Sequence, residues 1–403
     1  MENLLKSFEE LKQRNLKIDL TRGKPHSEQL DLSNALMTQA VEPIGENGID
    51  LRNYGEPVGI IEARKLGAEI LDSNVNLTIA GEQSSYLLMT QLLLGRYLFG
   101  LNDNPWKDEE EPAFLCAVPG FDRHFATLEG LNIKMHTVDL CSSGVNIEDL
   151  RDKLSKYPNI KGFICVPRHS NPSGEVFSDE NIIDLLKITK AHDPNFINLF
   201  DHAYLIHDFL PTPKQKPLWE LATKMNVQDQ TVITTSFSKV TFGGGGISFM
   251  ATAGHSLDLI KKVRTTMIIC PDKLNQKRHV EFFKNIESIK LHMEKHADLI
   301  RPKFEVAYSY LKELPKECGT YSKPTGGYFI TYSTSKPIAT KVVELCKEMG
   351  VLITPAGSTF PKNYDPNNSV IRLAPTYVSR DDLESAMEVF TTAVQLAHSE
   401  VKI

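Results

Sequence analysis

The sequence predicts an α/β protein: a mostly parallel sheet flanked by helices, with a smaller α+β domain beside it. Two observations lead to this prediction. Apolar, β-rich runs alternate with helical patterns between about residues 113 and 236. After about residue 285, a long helical stretch gives way to short strands and a final helix. With 403 residues, the chain is long enough to bury two or three domains' worth of core.

The first part of the chain carries the predicted sheet. Its strands are expected over 113–119, 132–140, 161–167, 196–201 and 231–236. Helices are expected over 146–157 and 178–192, with Asn146 and Ser178 as N-caps. Continuous apolar strands are buried on both faces, which is typical of a parallel sheet covered by helices. Ligands bind such sheets beyond the carboxyl ends of the strands.

The C-terminal part predicts the smaller domain. It contains an expected strand over 326–333, a helix over 337–349, short strands in VLITP and SVIRLAP, and a last helix over 380–399. An amphipathic helix is expected over 2–15. We therefore predict a large domain over 46–285. The small domain is predicted to combine 1–45 with 286–403.

Composition narrows the function classes. Hydrophobic residues are 41% and charged residues 24%, which excludes a disordered, collagen-like or disulfide-dense chain. The net charge of −6 gives no global attraction to nucleic acid or anionic membranes, so neither is expected as a partner. The charged N-terminus does not resemble a secretion signal, and no apolar run has the length of a membrane span. The six cysteines form no CxxC pair, which favours reduced core thiols in a cytoplasmic protein.

Polar residues gather where predicted strands end. Asp201 ends the strand at 196–201, and Tyr204 follows three residues later. The three residues that follow other predicted strands are Phe121, Asn171 and Lys239. Each residue alone has an ordinary interpretation as a turn former, a helix cap or a solvated side chain. Because strand ends meet at one edge of a parallel sheet, their order favours a common site.

The motifs that carry these residues are AGEQSS (80–85), PGFDRHF (119–125), SNPSG (170–174), DHAY (201–204), SFSK (236–239) and IRLAP (371–375). In this order they resemble fold type I pyridoxal-phosphate aminotransferases, the aspartate aminotransferase superfamily. The phrases TRGKP, RNYGEPVGI, CPDKLNQKRH and NSVIRLAPTY resemble a divergent bacterial aspartate aminotransferase subgroup, related to the aminotransferase-like domain of MocR-type regulators. The resemblance implies a large domain with a mostly parallel seven-stranded sheet, a smaller α+β domain and bound pyridoxal 5′-phosphate. It also implies a homodimer with shared active sites.

The resemblance assigns expected roles around the cofactor ring. Lys239 would form the internal aldimine and shuttle the substrate proton. Asp201 would face the pyridine nitrogen and keep it protonated, so that the ring withdraws electrons. Asn171 and Tyr204 would hydrogen-bond the phenolic oxygen, and Phe121 would stack on the ring.

The cofactor phosphate and the substrate need further groups. By the same resemblance, Ser84, Ser85 and Ser236 would bind the phosphate together with a helix that begins near residue 86. Tyr54 would reach the phosphate of the neighbouring subunit; the ordinary alternative is a buried strand or turn tyrosine. Arg372 would grip the substrate α-carboxylate beside Asn171, and Gly23 would line the pocket.

Two features stay open at this stage. Many members of the superfamily carry a phosphate-clamping arginine eight residues after the lysine, where this chain has Ile247. The distal carboxylate of a dicarboxylate substrate also needs a cation, and the sequence does not choose among five candidates: Arg22, Lys24, Arg123, Arg168 and Arg278.

The resemblance to this subgroup favours transamination of L-aspartate with 2-oxoglutarate in ping-pong half-reactions. Transamination of an aromatic or neutral amino acid, or lyase chemistry on the same fold, stays open because fold does not fix reaction type. A ligand-sensing module is less favoured, because too few residues precede TRGKP for a DNA-binding domain. The HMEKH segment lacks the zinc-protease spacing, so we expect His292 and His296 to lie on a solvated helix face. Ordinary packing is expected for His202 and His207.

Overall fold

The computed structural model describes residues 2–101 and 104–400. Within them, the α-helices are α1 Glu2–Gln13, α2 Ser27–Asp31, α3 Ala35–Thr38, α4 Ile61–Ile70, α5 Ser85–Leu98, α6 Asp122–Gly130, α7 Ile147–Lys156, α8 Asp179–His192, α9 Leu218–Met225, α10 Gly254–Met267, α11 Lys273–Phe283, α12 Ile286–Leu311, α13 Ala339–Glu348 and α14 Arg380–Glu400. The strands are β1 Ile18–Leu20, β2 Thr78–Ala80, β3 Ala113–Val118, β4 Lys134–Cys141, β5 Gly144–Val145, β6 Ile160–Cys165, β7 Ile197–Asp201, β8 Thr231–Ser236, β9 Ser248–Ala251, β10 Gly319–Tyr321, β11 Ile330–Thr334, β12 Val351–Ile353 and β13 Val370–Leu373.

A central sheet organises the large part of the chain. Its strand order is β2-β9-β8-β7-β6-β3-β4-β5. The five strands β8, β7, β6, β3 and β4 are mutually parallel, and β9 runs antiparallel to both of its neighbours. The predicted mostly parallel sheet is confirmed. It has eight strands rather than seven, because a tight turn after β4 folds the two-residue β5 back against it.

Local sequence explains the helices that cover this sheet. The side chain of Asn146 accepts hydrogen bonds from the backbone N–H groups of Glu148 and Asp149, and Ser178 accepts one from Asn181. Both predicted N-caps are therefore confirmed. The strands β3, β7 and β8 are buried at every residue, as expected for strands with helices on both faces.

The N-terminal and C-terminal segments pack together. Strand β1 pairs in parallel with β12, and a second, antiparallel sheet has the order β10-β11-β13. Phe8 and Leu11 of α1 join the same apolar cluster as α13 and α14. Helix α12 contacts both parts: Ile289 lies in the cluster beneath the large sheet, and Phe304 lies in the C-terminal cluster. The domain limits at residues 46 and 286 stay a prediction. Residues 1 and 401–403 of the predicted small domain lie outside the described residues.

The six cysteines are free thiols. Four of them are buried, whereas Cys141 is exposed and Cys270 is half-buried, so the expectation of core thiols holds for four positions. In the part of the chain that the structure describes, no helix is long and apolar enough to cross a membrane.

The sheet topology brings five loops to one edge. Strands β2, β3, β6, β7 and β8 all run in one direction, since β2 and β8 are both antiparallel to β9. The segments that follow their carboxyl ends contain Ser84, Phe121, Asn171, Tyr204 and Lys239, respectively. The predicted functional residues of these segments therefore come from one end of the sheet.

Candidate active site

Asp201 is the last residue of β7 and is 2% exposed. Its Oδ2 atom lies 3.0 Å from Nε2 of His124 on α6. Its Oδ1 atom accepts longer hydrogen bonds from Ser85 Oγ (3.4 Å) and Thr234 Oγ1 (3.5 Å). A buried carboxylate with a close imidazole donor is held in one orientation at the floor of the site.

Lys239 lies in the loop that follows β8. Its Nζ atom is 4.9 Å from the centre of the Tyr204 ring and, within the described residues, forms no hydrogen bond or ion pair. Burial lowers the pKa of Lys239 from its ordinary value, and the nearby charge of Asp201 partly opposes that shift. A larger neutral fraction makes this amine a better nucleophile than a solvated lysine. Burial also raises the pKa of Tyr204 well above its ordinary value, so this phenol stays protonated.

Arg372 and Asn171 meet on the other side of the site. Arg372 is on β13 and is 7% exposed; its Nη1 donates to Asn171 Oδ1 over 3.3 Å. Its Nη2 donates to the carbonyl of Thr21 (3.2 Å) and to Thr354 Oγ1 (3.3 Å). The guanidinium lies over the Phe329 ring at 4.9 Å. These contacts hold a buried cation without pairing it closely to a carboxylate.

Gly23 packs against the same aromatic ring. A Cβ atom at this position would lie 2.4 Å from Cζ of Phe329, so only glycine allows the N-terminal segment to approach the ring this closely. The Phe329 ring therefore contacts both Gly23 and the guanidinium of Arg372.

The N-terminus of α5 is close to Asp201. Ser84 occupies the N-cap position, but its side chain makes no capping hydrogen bond, so the first-turn N–H groups are not satisfied by a side chain. The Ser85 hydroxyl faces Asp201. Ser236 Oγ is 3.1 Å from Ser238 Oγ, which donates to the carbonyl of Gln83 over 2.6 Å. Hydroxyls and free N–H groups thus lie together at one helix start, which suits an anion.

Phe121 immediately precedes α6. Its ring meets the His124 ring edge-on, with centroids 5.1 Å apart. The aromatic side chain is therefore next to the imidazole that binds Asp201.

Tyr54 is 75% exposed, which excludes the alternative of a buried strand or turn tyrosine. Its carbonyl accepts a hydrogen bond from Nζ of the buried Lys273 over 3.1 Å. The backbone of this turn is fixed while the phenol faces outward.

Ile247 is fully buried in the apolar cluster beneath the sheet, so its position contributes packing and not charge. Arg264 is the fully buried cation near the loop before α5. It is already neutralised by Glu82, with contacts of 2.9 and 3.0 Å, and also donates to Gln91.

The five candidate cations for a distal carboxylate differ in their surroundings. Arg168 is paired with Asp208 at 2.7 Å. Lys24 lies over the Tyr377 ring at 4.0 Å, and Arg123 is exposed on α6. Arg278 is half-buried on α11. Arg22 is exposed between Thr21, which contacts Arg372, and Gly23, and its side chain forms no hydrogen bond or ion pair with the described residues.

The prediction that His292 and His296 lie on a solvated helix face is wrong. They are 8% and 1% exposed, because α2, α11 and the loop that contains Val240 pack against this face of α12. Gln29 of α2 contacts Nδ1 of His296 over 3.1 Å, and the Phe283 ring packs against His292. Burial lowers the pKa of His296 to about 3, so the ring is neutral.

This covering segment reaches the Lys239 loop, a connection that sequence reasoning missed. Gln29 Nε2 donates to the hydroxyl of Tyr328 over 3.0 Å, and that hydroxyl donates to the carbonyl of Lys239 over 3.4 Å. The backbone N–H of His26 donates to Gln29 Oε1, which fixes the amide orientation. His26 and Gln29 stand three residues apart, the spacing of a capping box at the start of α2. This spacing is the feature of the local sequence that indicates the position of Gln29.

His202 and His207 are both buried, as packing residues would be. His207 meets the rings of Tyr204 and Tyr328 edge-on, at 5.5 and 5.7 Å. Burial lowers the pKa of His202 to about 3.

Comparison with known proteins identifies the family. The family model described as aspartate amino-transferase matches residues 1–403. The chain belongs to the aspartate aminotransferase family. An aspartate aminotransferase of Corynebacterium glutamicum is 36% identical over 408 residues, covering 99% of this chain and 94% of that protein. A crystal structure of an aspartate transaminase from the same species superposes with a TM-score of 0.94 at 34% identity, covering 99% of this chain and 95% of that one.

The expected relation to regulators is present but weaker. The HTH-type transcriptional regulator NorG of Staphylococcus aureus is 22% identical over 291 residues, which cover 71% of this chain and 62% of the regulator. The protein is therefore a fold type I aminotransferase, and its distant likeness to regulators is a minor one.

Aminotransferases of this family use pyridoxal 5′-phosphate, and the residues present fit that cofactor. The amine of Lys239, which is unpaired among the described residues and whose pKa burial lowers, suits condensation with an aldehyde. The buried carboxylate of Asp201 suits a protonated ring nitrogen, and the uncapped start of α5 suits a phosphate.

Proposed function

We propose that this aminotransferase transfers the amino group between L-aspartate and 2-oxoglutarate in two half-reactions. The buried guanidinium of Arg372, set beside Asn171, is the observation that carries the proposal, since it offers a planar donor for a carboxylate. The substrate pair is further supported by the relative from Corynebacterium glutamicum, which is named an aspartate aminotransferase.

Each residue around the cofactor would have a separate role. The bound cofactor supplies an electron-withdrawing ring that stabilises charge at the substrate Cα. Lys239 would hold the cofactor and then accept and return the Cα proton at Nζ, for which a lowered pKa is suited. Asp201 would bind the ring nitrogen, while Asn171 and the protonated Tyr204 would donate to the ring oxygen. Phe121 would cover the ring face.

The phosphate would be bound without an arginine at position 247. Ser84, Ser85 and Ser236 would contribute hydroxyls, and the first turn of α5 would contribute N–H groups and its dipole. The Ser85 hydroxyl, which faces Asp201, would have to turn toward the phosphate for this role.

The side-chain carboxylate of aspartate would bind a cation other than Arg372. Among the five candidates we favour Arg22, whose side chain is unpaired among the described residues and which is adjacent to Thr21 and Gly23. Arg168 is the weakest candidate, since Asp208 already neutralises it.

A homodimer is part of the proposal. The phenol of Tyr54 is exposed on a turn whose carbonyl is held by Lys273, so it is free to reach a neighbouring subunit. In that assembly Tyr54 would contact the phosphate bound by the partner. We also place the protein in the cytoplasm, since its six cysteines are free thiols.

A substrate panel tests the proposal. Purified enzyme would be assayed with 2-oxoglutarate and either L-aspartate, L-alanine, L-valine or L-phenylalanine, with ammonia release followed in parallel. We expect aspartate to give the highest kcat/KM, without ammonia release. Arg22→Ala should lower kcat/KM for aspartate more than for alanine, and Arg151→Ala, at an exposed arginine of α7, serves as the matched control. Preference for a neutral amino acid, or ammonia release, would overturn the assigned substrate or reaction.

A further inference from the structure

The donors of Arg372 are almost fully used. Nε donates to Thr354 Oγ1 over 3.3 Å, and Nη2 donates to the carbonyl of Thr21 and to Thr354. Nη1 donates one hydrogen to Asn171 Oδ1. A guanidinium has five N–H groups, so one N–H of Nη1 is left for another acceptor.

Asp122 stands beside that remaining N–H. Its Oδ1 atom is 3.8 Å from Nη1 of Arg372, and among the described residues it is the carboxylate within 4 Å of this guanidinium. Its side chain is 38% exposed, whereas that of Arg372 is 7% exposed. The contact thus joins a buried cation to an acid at the open edge of the site.

We infer that Asp122 is a built-in competitor for the carboxylate of the substrate at Arg372 and so sets how weakly that carboxylate is bound. This inference rests on the proposed function, in which Arg372 binds the substrate α-carboxylate. A substrate carboxylate that reaches Nη1 must displace the Asp122 carboxylate or lie next to it. Either event opposes binding, because two anions then share one cation.

The amino acid and the 2-oxo acid carry the same α-carboxylate. Asp122 therefore weakens both substrates, and it also favours release of both products. Removing its charge should improve the affinity for all four molecules by a similar factor.

An alternative role for Asp122 is structural. It is the first residue of α6, where an acidic side chain stabilises the positive end of the helix. Asp381 likewise lies in the first turn of a helix, α14, is exposed and forms no ion pair with the described residues. Asp381→Asn is therefore a matched control for loss of first-turn charge.

The test measures binding of maleate, a dicarboxylate without an amino group, to the holoenzyme by isothermal titration calorimetry. The proteins compared are wild type, Asp122→Asn, Asp122→Glu and Asp381→Asn. We expect Asp122→Asn to bind maleate about two- to fivefold more tightly, the factor of a half-exposed ion pair. Asp122→Glu and Asp381→Asn should match wild type. The gain should shrink at high ionic strength, which a packing effect would not do.

Steady-state kinetics add a second readout. In Asp122→Asn, KM for L-aspartate and KM for 2-oxoglutarate should fall by the same factor, while the affinity for pyridoxal 5′-phosphate stays at the wild-type value. Unchanged or weaker maleate binding in Asp122→Asn would overturn the inference.

Arg372→Gln separates this inference from the proposed function, with circular dichroism to establish that the variant is folded. If Arg372→Gln binds maleate as well as wild type, the assigned carboxylate site is wrong and the inference falls with it. If Arg372→Gln loses maleate binding while Asp122→Asn gains nothing, only the role of Asp122 is refuted.

Discussion

His124 donates its Nε2–H to Oδ2 of Asp201 across 3.0 Å, and both side chains are at least 96% buried. Such a contact places the ring proton of His124 on Nε2 and holds one oxygen of the carboxylate in place. Among the described residues, the other oxygen has two long contacts, to Ser85 and Thr234, and stays available to a bound group. The pair therefore orients the carboxylate that the proposal sets against the cofactor ring.

Loss of the His124 donor should destabilise the protein. His124→Ala would leave the buried Asp201 carboxylate without its closest partner, at a cost of about 1–3 kcal/mol in the free energy of unfolding. We also expect weaker binding of pyridoxal 5′-phosphate, measured by equilibrium dialysis. His124→Gln, whose amide nitrogen can replace Nε2, should recover most of both properties. Equal losses in the alanine and glutamine variants would contradict a role based on that hydrogen bond.

The burial of Lys239 should make the free energy of unfolding depend on pH. Because burial lowers its pKa from 10.5, the folded apoprotein binds this proton less tightly than the unfolded chain does. Its contribution therefore destabilises the fold at neutral pH, and this penalty disappears as the pH rises toward 10.5. Lys239→Met should be more stable than wild type at pH 7, by a margin that shrinks with rising pH.

Urea unfolding of the two apoproteins from pH 7 to pH 10 measures this difference. Lys224→Met, at an exposed lysine of α9 that forms no ion pair with the described residues, is the control for the loss of a surface lysine, and the difference for Lys239→Met should change with pH more than that of the control. A margin for Lys239→Met that grows with pH would contradict the burial of this amine. The same variant should have no transaminase activity, since the proposed proton carrier is gone.

The chain from Gln29 through Tyr328 to the Lys239 carbonyl should be cooperative. Gln29→Leu removes a buried donor from Tyr328 and from His296, which we expect to cost about 1–3 kcal/mol of unfolding free energy. In Tyr328→Phe that partner is already absent. A double-mutant cycle should therefore give a smaller loss for Gln29→Leu in the phenylalanine background. Strict additivity would show that the two side chains are not coupled.

Local patterns predicted most of the large sheet. The strand at 231–236 matches β8, and the caps at Asn146 and Ser178 formed as expected, because each depends on residues only a few positions away. The two-residue β5 was missed because so short a strand has no periodicity of its own.

Contacts between distant segments were not predictable in this way. His292 and His296 have the pattern of an exposed helix face, and other segments bury them: Gln29 of α2, 267 residues earlier, contacts His296, and the Val240 loop contacts His292. The ion-pair contact between Asp122 and Arg372 likewise joins α6 to β13 and has no local signal. The order of the motifs predicted the residues of the candidate site. The contacts that surround each residue depend on the fold and were not predicted.

The most direct test of the central claim is an absorption spectrum of the purified protein, recorded before and after addition of L-aspartate. We predict a yellow band from bound pyridoxal 5′-phosphate that is lost with aspartate and recovers with 2-oxoglutarate. Arg372→Gln should show the same band but need much more aspartate to lose it. A protein that shows no band, even after pyridoxal 5′-phosphate is added, or a band that aspartate leaves unchanged, would contradict the account.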